Sequence, residues 1–139
     1  MLTLQHSIPL AIILLASACG AEEVVEVGIV HFYGESEGVI DAPKSVAVGE
    51  RFAIVVNTYG AGCNSADSMS IDISEGSVEL IPYDREDVSR PCTTELVRIV
   101  HSATTSFASN GDKTVTVRGR KVDQQNDTLV EVTHRMTVQ

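Results

Sequence analysis

The sequence predicts an all-β domain, built as an antiparallel two-sheet sandwich, on three observations. Segments rich in β-branched residues recur along the chain, and Gly, Pro, Asn, Asp and Ser separate them. Several of these segments alternate apolar and polar residues, as strands with one buried and one wet face do. No segment after residue 18 keeps a helical period over three turns. Seven or eight short strands in about 120 residues favour a sandwich over a closed barrel.

The predicted strands follow one another at the spacing of hairpins. Phe52, Ile54 and Val56 share one face of the third strand, and Val130 and Val132 begin an apolar row in the last one. Turn-forming residues occupy positions 47–50, 74–76, 109–112 and 124–127. The predicted strands are residues 23–33, 45–48, 51–59, 68–74, 77–83, 94–107, 113–121 and 129–138.

Composition excludes several classes of function. The 139 residues suffice for one domain, and 19 acidic against 10 basic side chains give a net charge of -9. Because nucleic-acid binding needs clustered Lys and Arg, we expect no nucleic-acid partner. The sequence contains no G-x-S-x-G, S-x-x-K, HExxH or phosphate-cradling glycine motif. We therefore expect neither an enzyme nor a bound cofactor.

The N-terminal segment has the features of an export signal. Its apolar run, residues 10–15, is far shorter than the roughly 20 residues of a membrane-spanning helix. The small residues 16–18 directly before Cys19 resemble the lipobox of bacterial lipoproteins. This resemblance implies a signal peptide at residues 1–18, a lipidated tether at 19–22 and a domain at 23–139. Position 20 is Gly rather than the Asp that retains such lipoproteins at the inner membrane, so the resemblance implies the outer membrane. The alternative to a lipoprotein signal is an ordinary secretory signal in which Cys19 is incidental.

The remaining cysteines are expected to form a disulfide. If Cys19 is lipidated, Cys63 and Cys92 form an even pair in an oxidising compartment. Cys63 follows the predicted strand 51–59 and Cys92 precedes 94–107, and these strands are antiparallel neighbours in the usual sandwich order. A zinc site and a catalytic thiol are poorer interpretations, because neither cysteine has C-x2-C spacing, a nearby His or an adjacent base.

Two segments resemble bacterial immunoglobulin-like domains. They are residues 41–52, ending in Gly49-Glu50-Arg51-Phe52, and residues 107–119, in which Gly111 turns into a Thr-Val-Thr-Val strand. Residues 60–63, Pro82-Tyr83-Asp84 and Cys92 are also similar to small uncharacterised lipoproteins with two cysteines. The resemblance covers residues 43–139 and implies an immunoglobulin-like sandwich, a fold that serves many functions.

Four groups of residues are candidate sites, each with a simpler interpretation. Asn64, Ser65, Asp67 and Ser68 are predicted to form a binding loop around Cys63, or only a linker. His31, His101 and His134 continue apolar rows and could meet in a three-histidine metal site, or lie apart. Residues 84–87 are predicted to be a solvated acidic turn that could hold Ca²⁺. The basic cluster Arg118, Arg120, Lys121 and Arg135 could contact an acidic partner, or pair with Glu131 across the strands.

These observations favour one function over two others. We expect a membrane-anchored envelope lipoprotein that acts as a non-enzymatic binding module for an unknown protein or envelope partner. The alternative is a periplasmic metal-binding protein that uses His31, His101 and His134. The third interpretation is a structural spacer.

Overall fold

A computed structural model of the chain describes residues 22–35, 37–124 and 127–139. The predicted signal peptide and Cys19 lie outside these residues. Within them the chain forms ten strands and no helix, so none of their segments could cross a membrane as a helix. The strands are β1 (Glu23–Val27), β2 (Ile29–Phe32), β3 (Ile40–Asp41), β4 (Ser45–Val46), β5 (Phe52–Gly60), β6 (Asn64–Ile73), β7 (Ser77–Asp87), β8 (Val97–Thr105), β9 (Gly111–Val122) and β10 (Asp127–Val138).

All ten strands join in one curled sheet, and the prediction of an all-β fold is confirmed. β10 runs antiparallel along the full length of β9. Two strands share the other edge of β9, since its first half pairs in parallel with β7 and its last residues pair in parallel with β2. β4 and β10 also pair in parallel. The expectation of a purely antiparallel sheet is wrong at these three ladders, because each joins segments far apart in the chain rather than a hairpin.

The predicted strand 23–33 is interrupted at Gly28. β1 pairs antiparallel with β7, and after Gly28 the chain continues as β2 along β9. The Gly28 N–H donates to Pro82 O at 2.8 Å, and its carbonyl accepts from Arg120 N at 2.9 Å. A Cβ at Gly28 would lie 2.5 Å from Thr58 Cγ2, so a side chain does not fit here. This break and the two-residue β3 explain why the structure has more strands than the sequence predicted.

The pairing of β5 with β8 confirms the predicted neighbours. The two strands are antiparallel from Phe52–Thr105 to Gly60–Val97. The chain leaves β5 at Gly60 and enters β8 at Val97, and these two residues pair with each other. The disulfide between Cys63 and Cys92 links the segment after β5 to the segment before β8, with a Cα–Cα distance of 5.3 Å. The predicted disulfide is therefore confirmed.

The core lies inside the curl of the sheet, where the apolar rows of several strands meet. Phe52 and Phe107 stack with ring centroids 5.9 Å apart at one end of it. Valine supplies eight of its fourteen members, which accords with the low aromatic content. The buried core residues are Val30, Val39, Val46, Phe52, Ile54, Val56, Val78, Leu80, Ala103, Phe107, Val115, Val117, Met136 and Val138.

Candidate functional site

The inward row of β7 changes from apolar to acidic along the strand. Val78 and Leu80 belong to the core, and Asp84 and Glu86 continue the same face because side chains alternate along a strand. The prediction of an acidic turn at residues 84–87 is wrong, since all four residues lie in β7. The alternation that begins at Val78 could have revealed this, because it continues without a break through Pro82 to Glu86.

Asp84 belongs to a buried cluster of three polar side chains. His101 Nε2 lies 2.8 Å from Asp84 Oδ1, and Thr58 Oγ1 donates to the same oxygen at 3.0 Å. Thr58 Oγ1 is also 3.3 Å from His101 Nε2. Thr58, Asp84 and His101 are 0%, 6% and 5% exposed, so the cluster connects β5, β7 and β8 within the protein. A buried polar cluster fixes these strands relative to one another, because leaving one partner unpaired is costly.

This cluster does not have the geometry of a nucleophile activated by a base. In such a relay the carboxylate orients one ring nitrogen and the nucleophile contacts the other. Here Thr58 and Asp84 both face His101 Nε2. The fully buried Thr58 hydroxyl is also out of reach of a substrate. The cluster supports the fold beside a cavity.

That cavity, which we name the acidic pocket, has a volume of about 350 Å³. This size lies in the range of small-molecule sites. Its walls come from strands distant in sequence and from residues 94–96. The apolar lining residues are Val24, Ile29, Phe32, Tyr59 and Leu96. The charged lining residues are Glu26, Asp84, Glu86, Glu95 and Arg120.

Arg120, the single basic residue of the acidic pocket, is already neutralised. Its Nη1 lies 2.9 Å from Glu26 Oε2 and 3.0 Å from Asp127 Oδ2, and its Nε donates to Val27 O at 2.7 Å. Within the part of the chain that the structure describes, Glu86 and Glu95 take part in no ion pair. The pocket therefore carries negative charge beside its apolar wall.

The disulfide holds two walls of the acidic pocket together. Gly60, Ala61 and Asn64 lie on one side of it, and Thr94 to Leu96 lie on the other. Ala61 N donates to Asn64 Oδ1 at 2.8 Å, and Gly62 N donates to Thr93 O at 3.4 Å. These bonds and the Cys63–Cys92 link shape the rim.

The predicted binding loop is a strand. Asn64, Ser65, Asp67 and Ser68 lie in β6, whose backbone pairs with β7 around a bulge between Ala66 and Ser68. Polar residues suit this position because β6 is an edge strand with exposed side chains. Of the four, only Asn64 lines the acidic pocket.

Asp67 instead faces Arg85 on the exposed surface of β6 and β7. Arg85 Nε donates to Asp67 Oδ1 at 2.9 Å, and Ser68 Oγ donates to Asp67 Oδ2 at 2.9 Å. The hydrogen bonds from Arg85 and then Ser68 lower the pKa of Asp67 below its ordinary value of 3.8. This pair reinforces the outside of the pocket wall.

The three histidines do not meet. His31 lies in β2, His101 is held by Asp84, and His134 Nε2 lies 3.2 Å from Pro43 O beside β4. Among the described residues, only Cys63, Glu86 and Cys92 place three ligand atoms within 4.8 Å of one another, and both sulfurs are in the disulfide. The alternative of a three-histidine metal site is therefore wrong, since β2, β8 and β10 are not adjacent in the sheet, and the simpler interpretation of separate histidines holds.

The basic cluster is largely paired across the strands, as the simpler interpretation expected. Arg118 contacts Glu79 and Glu131, both at 2.9 Å, and the hydrogen bond to Glu131 raises the pKa of Arg118. Lys121 pairs with Asp123 at 3.7 Å.

Only Arg135 of that cluster lacks an ion pair within the described ranges. It lines a second cavity of about 430 Å³, which we name the basic cavity. The residues that line it are Lys44, Asp112, Lys113, Thr114, Arg135, Met136 and Thr137.

The acidic pocket combines ligand size, an apolar wall and four carboxylates at one end of the sheet. It is the candidate site of this protein. Compared with models of known families, with curated proteins and with solved structures, the chain matches none.

Proposed function

We propose that the chain is an exported lipoprotein of the bacterial envelope whose domain binds a ligand in the acidic pocket without transforming it. The observation that carries this proposal is the pocket itself. Its volume of about 350 Å³, its apolar wall and its few polar groups are typical of ligand sites. The disulfide and the buried Asp84–His101 contact support its walls, so little ordering accompanies binding.

The proposal includes an immunoglobulin-like sandwich as the scaffold. Its support is the antiparallel pairing of β5 with β8, which correspond to the B and E strands of such domains. Buried residues of β5, β7, β8 and β9 contribute to one common core. Ligand sites commonly lie on segments that a rigid scaffold of this kind presents.

A lipid on Cys19 would keep the pocket near the membrane. Val24 lines the pocket and follows Cys19 by five residues. An extended chain spans at most about 3.6 Å per residue, so the tether would reach roughly 18 Å. The proposed ligand is therefore one that is met at the membrane surface.

The anchor is tested by expressing the full chain in a bacterial host supplied with a clickable fatty acid. We expect the wild-type protein to be labelled and to sediment with membranes. Cys19→Ala should be unlabelled and should leave the membrane fraction. Equal behaviour of the two proteins would refute the lipoprotein assignment.

Ligand binding is tested with the small-molecule fraction of an envelope extract, added to the isotope-labelled mature protein. We expect shifted NMR signals from residues such as Val24 and Leu96, which line the pocket. Ala61→Trp, which fills the pocket rim, should abolish these shifts. The matched control Ala66→Trp lies in β6, exposed and outside the pocket lining, and should preserve them. Shifts that survive Ala61→Trp would place the binding site elsewhere.

A further inference from the structure

One oxygen of Asp84 remains available to a ligand. Asp84 is 6% exposed, and its Oδ1 accepts from both Thr58 and His101. No residue in the described ranges donates to Oδ2. No side-chain oxygen or nitrogen there is both fully buried and unpartnered. Oδ2 therefore reaches the acidic pocket that Asp84 lines.

The neighbouring backbone leaves this oxygen unpaired. A Cβ at Gly28 would lie 2.9 Å from Asp84 Oδ2, so the chain passes close to the carboxylate only because residue 28 is glycine. The Gly28 N–H is engaged by Pro82 O at 2.8 Å and does not satisfy Oδ2. A carboxylate that is largely buried but has one unpaired oxygen open to a pocket favours a donor supplied by a ligand.

The charges around Asp84 favour a positive ligand. Four carboxylates line the pocket, those of Glu26, Asp84, Glu86 and Glu95, against the single guanidinium of Arg120. Arg120 contacts Glu26 at 2.9 Å and Asp127 at 3.0 Å, so it attracts an anion little. The remaining potential is negative, and a cleft of one sign concentrates ions of the opposite sign.

The apolar wall indicates that the cation carries a hydrocarbon part. Phe32 and Tyr59 stack with centroids 6.3 Å apart, and Leu96 is 48% exposed at the wall. A bare metal ion fits poorly, since Asp84, Glu86 and Glu95 do not place their oxygens within 4.8 Å of one another. An organic ion can span these carboxylates and cover Leu96 at the same time.

We propose that the acidic pocket binds a primary ammonium ion that carries an apolar group. The ammonium donates a hydrogen bond to Asp84 Oδ2, with Glu86 and Glu95 adding electrostatic attraction. The apolar group packs against Phe32 and Leu96. This inference rests on the proposed function, since it names the ligand class of the same pocket.

The test compares three probes that share a phenyl ring and differ in charge: 2-phenylethylammonium, 2-phenylethanol and 3-phenylpropionate. Each is titrated into the isotope-labelled mature protein while the NMR signals of the pocket are followed. We expect the ammonium to bind at least about tenfold more tightly than the alcohol, and salt to weaken only the ammonium. Equal affinity for the alcohol, or tighter binding of the carboxylate, would overturn the inference.

Glu95→Gln is the decisive variant, because Glu95 is exposed and forms no ion pair or side-chain hydrogen bond among the described residues. It should weaken ammonium binding by about threefold to fivefold and leave the alcohol unchanged. Glu75→Gln, on the exposed turn between β6 and β7, removes the same charge outside the pocket and should change neither. An equal loss in both variants would mean that net charge alone attracts the probe.

Asp84→Asn should abolish ammonium binding. It also alters a residue that Thr58 and His101 contact, so its folding is checked by the dispersion of its NMR spectrum. A folded Asp84→Asn protein that binds the ammonium as tightly as wild type would exclude the contact to Oδ2.

The two proposals fail in different ways. If neither the envelope extract nor any probe shifts the pocket signals, the proposed binding function itself is wrong. If the extract or the alcohol shifts them while the ammonium has no advantage, the pocket remains a binding site and only the ligand class is wrong.

Discussion

The acidic pocket and the basic cavity lie at opposite ends of β9 and are built in different ways. Arg120, near the end of β9, lines the acidic pocket, and Asp112 to Thr114, at its start, line the basic cavity. The acidic pocket draws residues from six strands and from the segment after the disulfide. The basic cavity comes from the hairpin of β9 and β10 together with Lys44.

This difference separates a site made by the whole fold from one made by a local hairpin. The acidic pocket joins Val24 to Arg120 across almost the whole domain, and a buried polar cluster and a disulfide support it. The basic cavity lies along β9 and β10, which follow one another in the chain and pair with each other. Arg135 is exposed in β10. Perturbations of tertiary structure should therefore affect the acidic pocket first.

The largest expected effect comes from removing the disulfide with Cys63→Ala and Cys92→Ala together. The cysteines are 29 residues apart, and a link of this span contributes about 3–4 kcal/mol to the free energy of unfolding. Urea denaturation measures this loss. Amide exchange should rise at residues 60–64 and 93–96 of the acidic pocket and stay low at 112–114. Equal increases at both cavities would contradict the comparison.

A smaller effect is expected from His101→Ala, which removes the partner of Asp84. We expect a loss of about 2–3 kcal/mol in the free energy of unfolding, because a buried carboxylate loses a hydrogen bond and a cavity opens. The matched control is His134→Ala, whose half-buried imidazole contacts Pro43 O at 3.2 Å on the other side of the fold. That variant should lose under about 1 kcal/mol. Equal losses from the two variants would mean that the buried polar cluster contributes no more to the free energy of unfolding than the single contact of His134.

Local patterns explain which parts of this comparison the sequence could predict. Apolar residues recur at every second position from Phe52 to Val56 and again from Val130, and this alternation predicted which face of β5 and of β10 is turned inward. The disulfide was predicted because two cysteines remain once Cys19 is set aside, and because Cys63 and Cys92 flank strands expected to be neighbours. The basic cluster was also predicted to pair with Glu131, since the two strands form a hairpin.

The acidic pocket could not be predicted in the same way. Asp84 and His101 lie 17 residues apart on strands that do not pair, so their contact depends on the curl of the sheet. The break at Gly28 follows from a close approach to Thr58, which no local preference encodes. Asn64 to Ser68 have the composition of a loop, and pairing with β7 overrides that preference.

The third prediction concerns Gly28, where β1 turns into β2 beside the acidic pocket. Gly28→Ala places a methyl group 2.5 Å from Thr58 Cγ2 and should lower the free energy of unfolding by about 1–3 kcal/mol. Gly76→Ala is the matched control, because a Cβ there meets no atom within 4 Å. It should be neutral or slightly stabilising. Chemical denaturation compares the two, and a neutral Gly28→Ala would contradict the tight packing at this point.

The smallest expected effect is that of Asp67→Asn on the exposed wall formed by β6 and β7. Hydrogen bonds from Arg85 and Ser68 hold the pKa of Asp67 below 3.8 in the folded protein. The stabilisation is therefore fully present above the unfolded pKa and is lost as the pH falls through the lower, folded value. Asp67→Asn should lower the urea midpoint at pH 7, and the difference from wild type should shrink towards about pH 2.

Asp72→Asn tests whether this pH dependence belongs to the Arg85 pair or to any carboxylate of the edge strand. Asp72 lies exposed in β6 and forms no ion pair among the residues that the structure describes. It should leave the urea midpoint unchanged at both pH values. If Asp72→Asn repeats the effect of Asp67→Asn, the wall gains its stability from net charge. If only Asp67→Asn acts, the ion pair strengthens the wall that carries Asp84 and Glu86 into the acidic pocket.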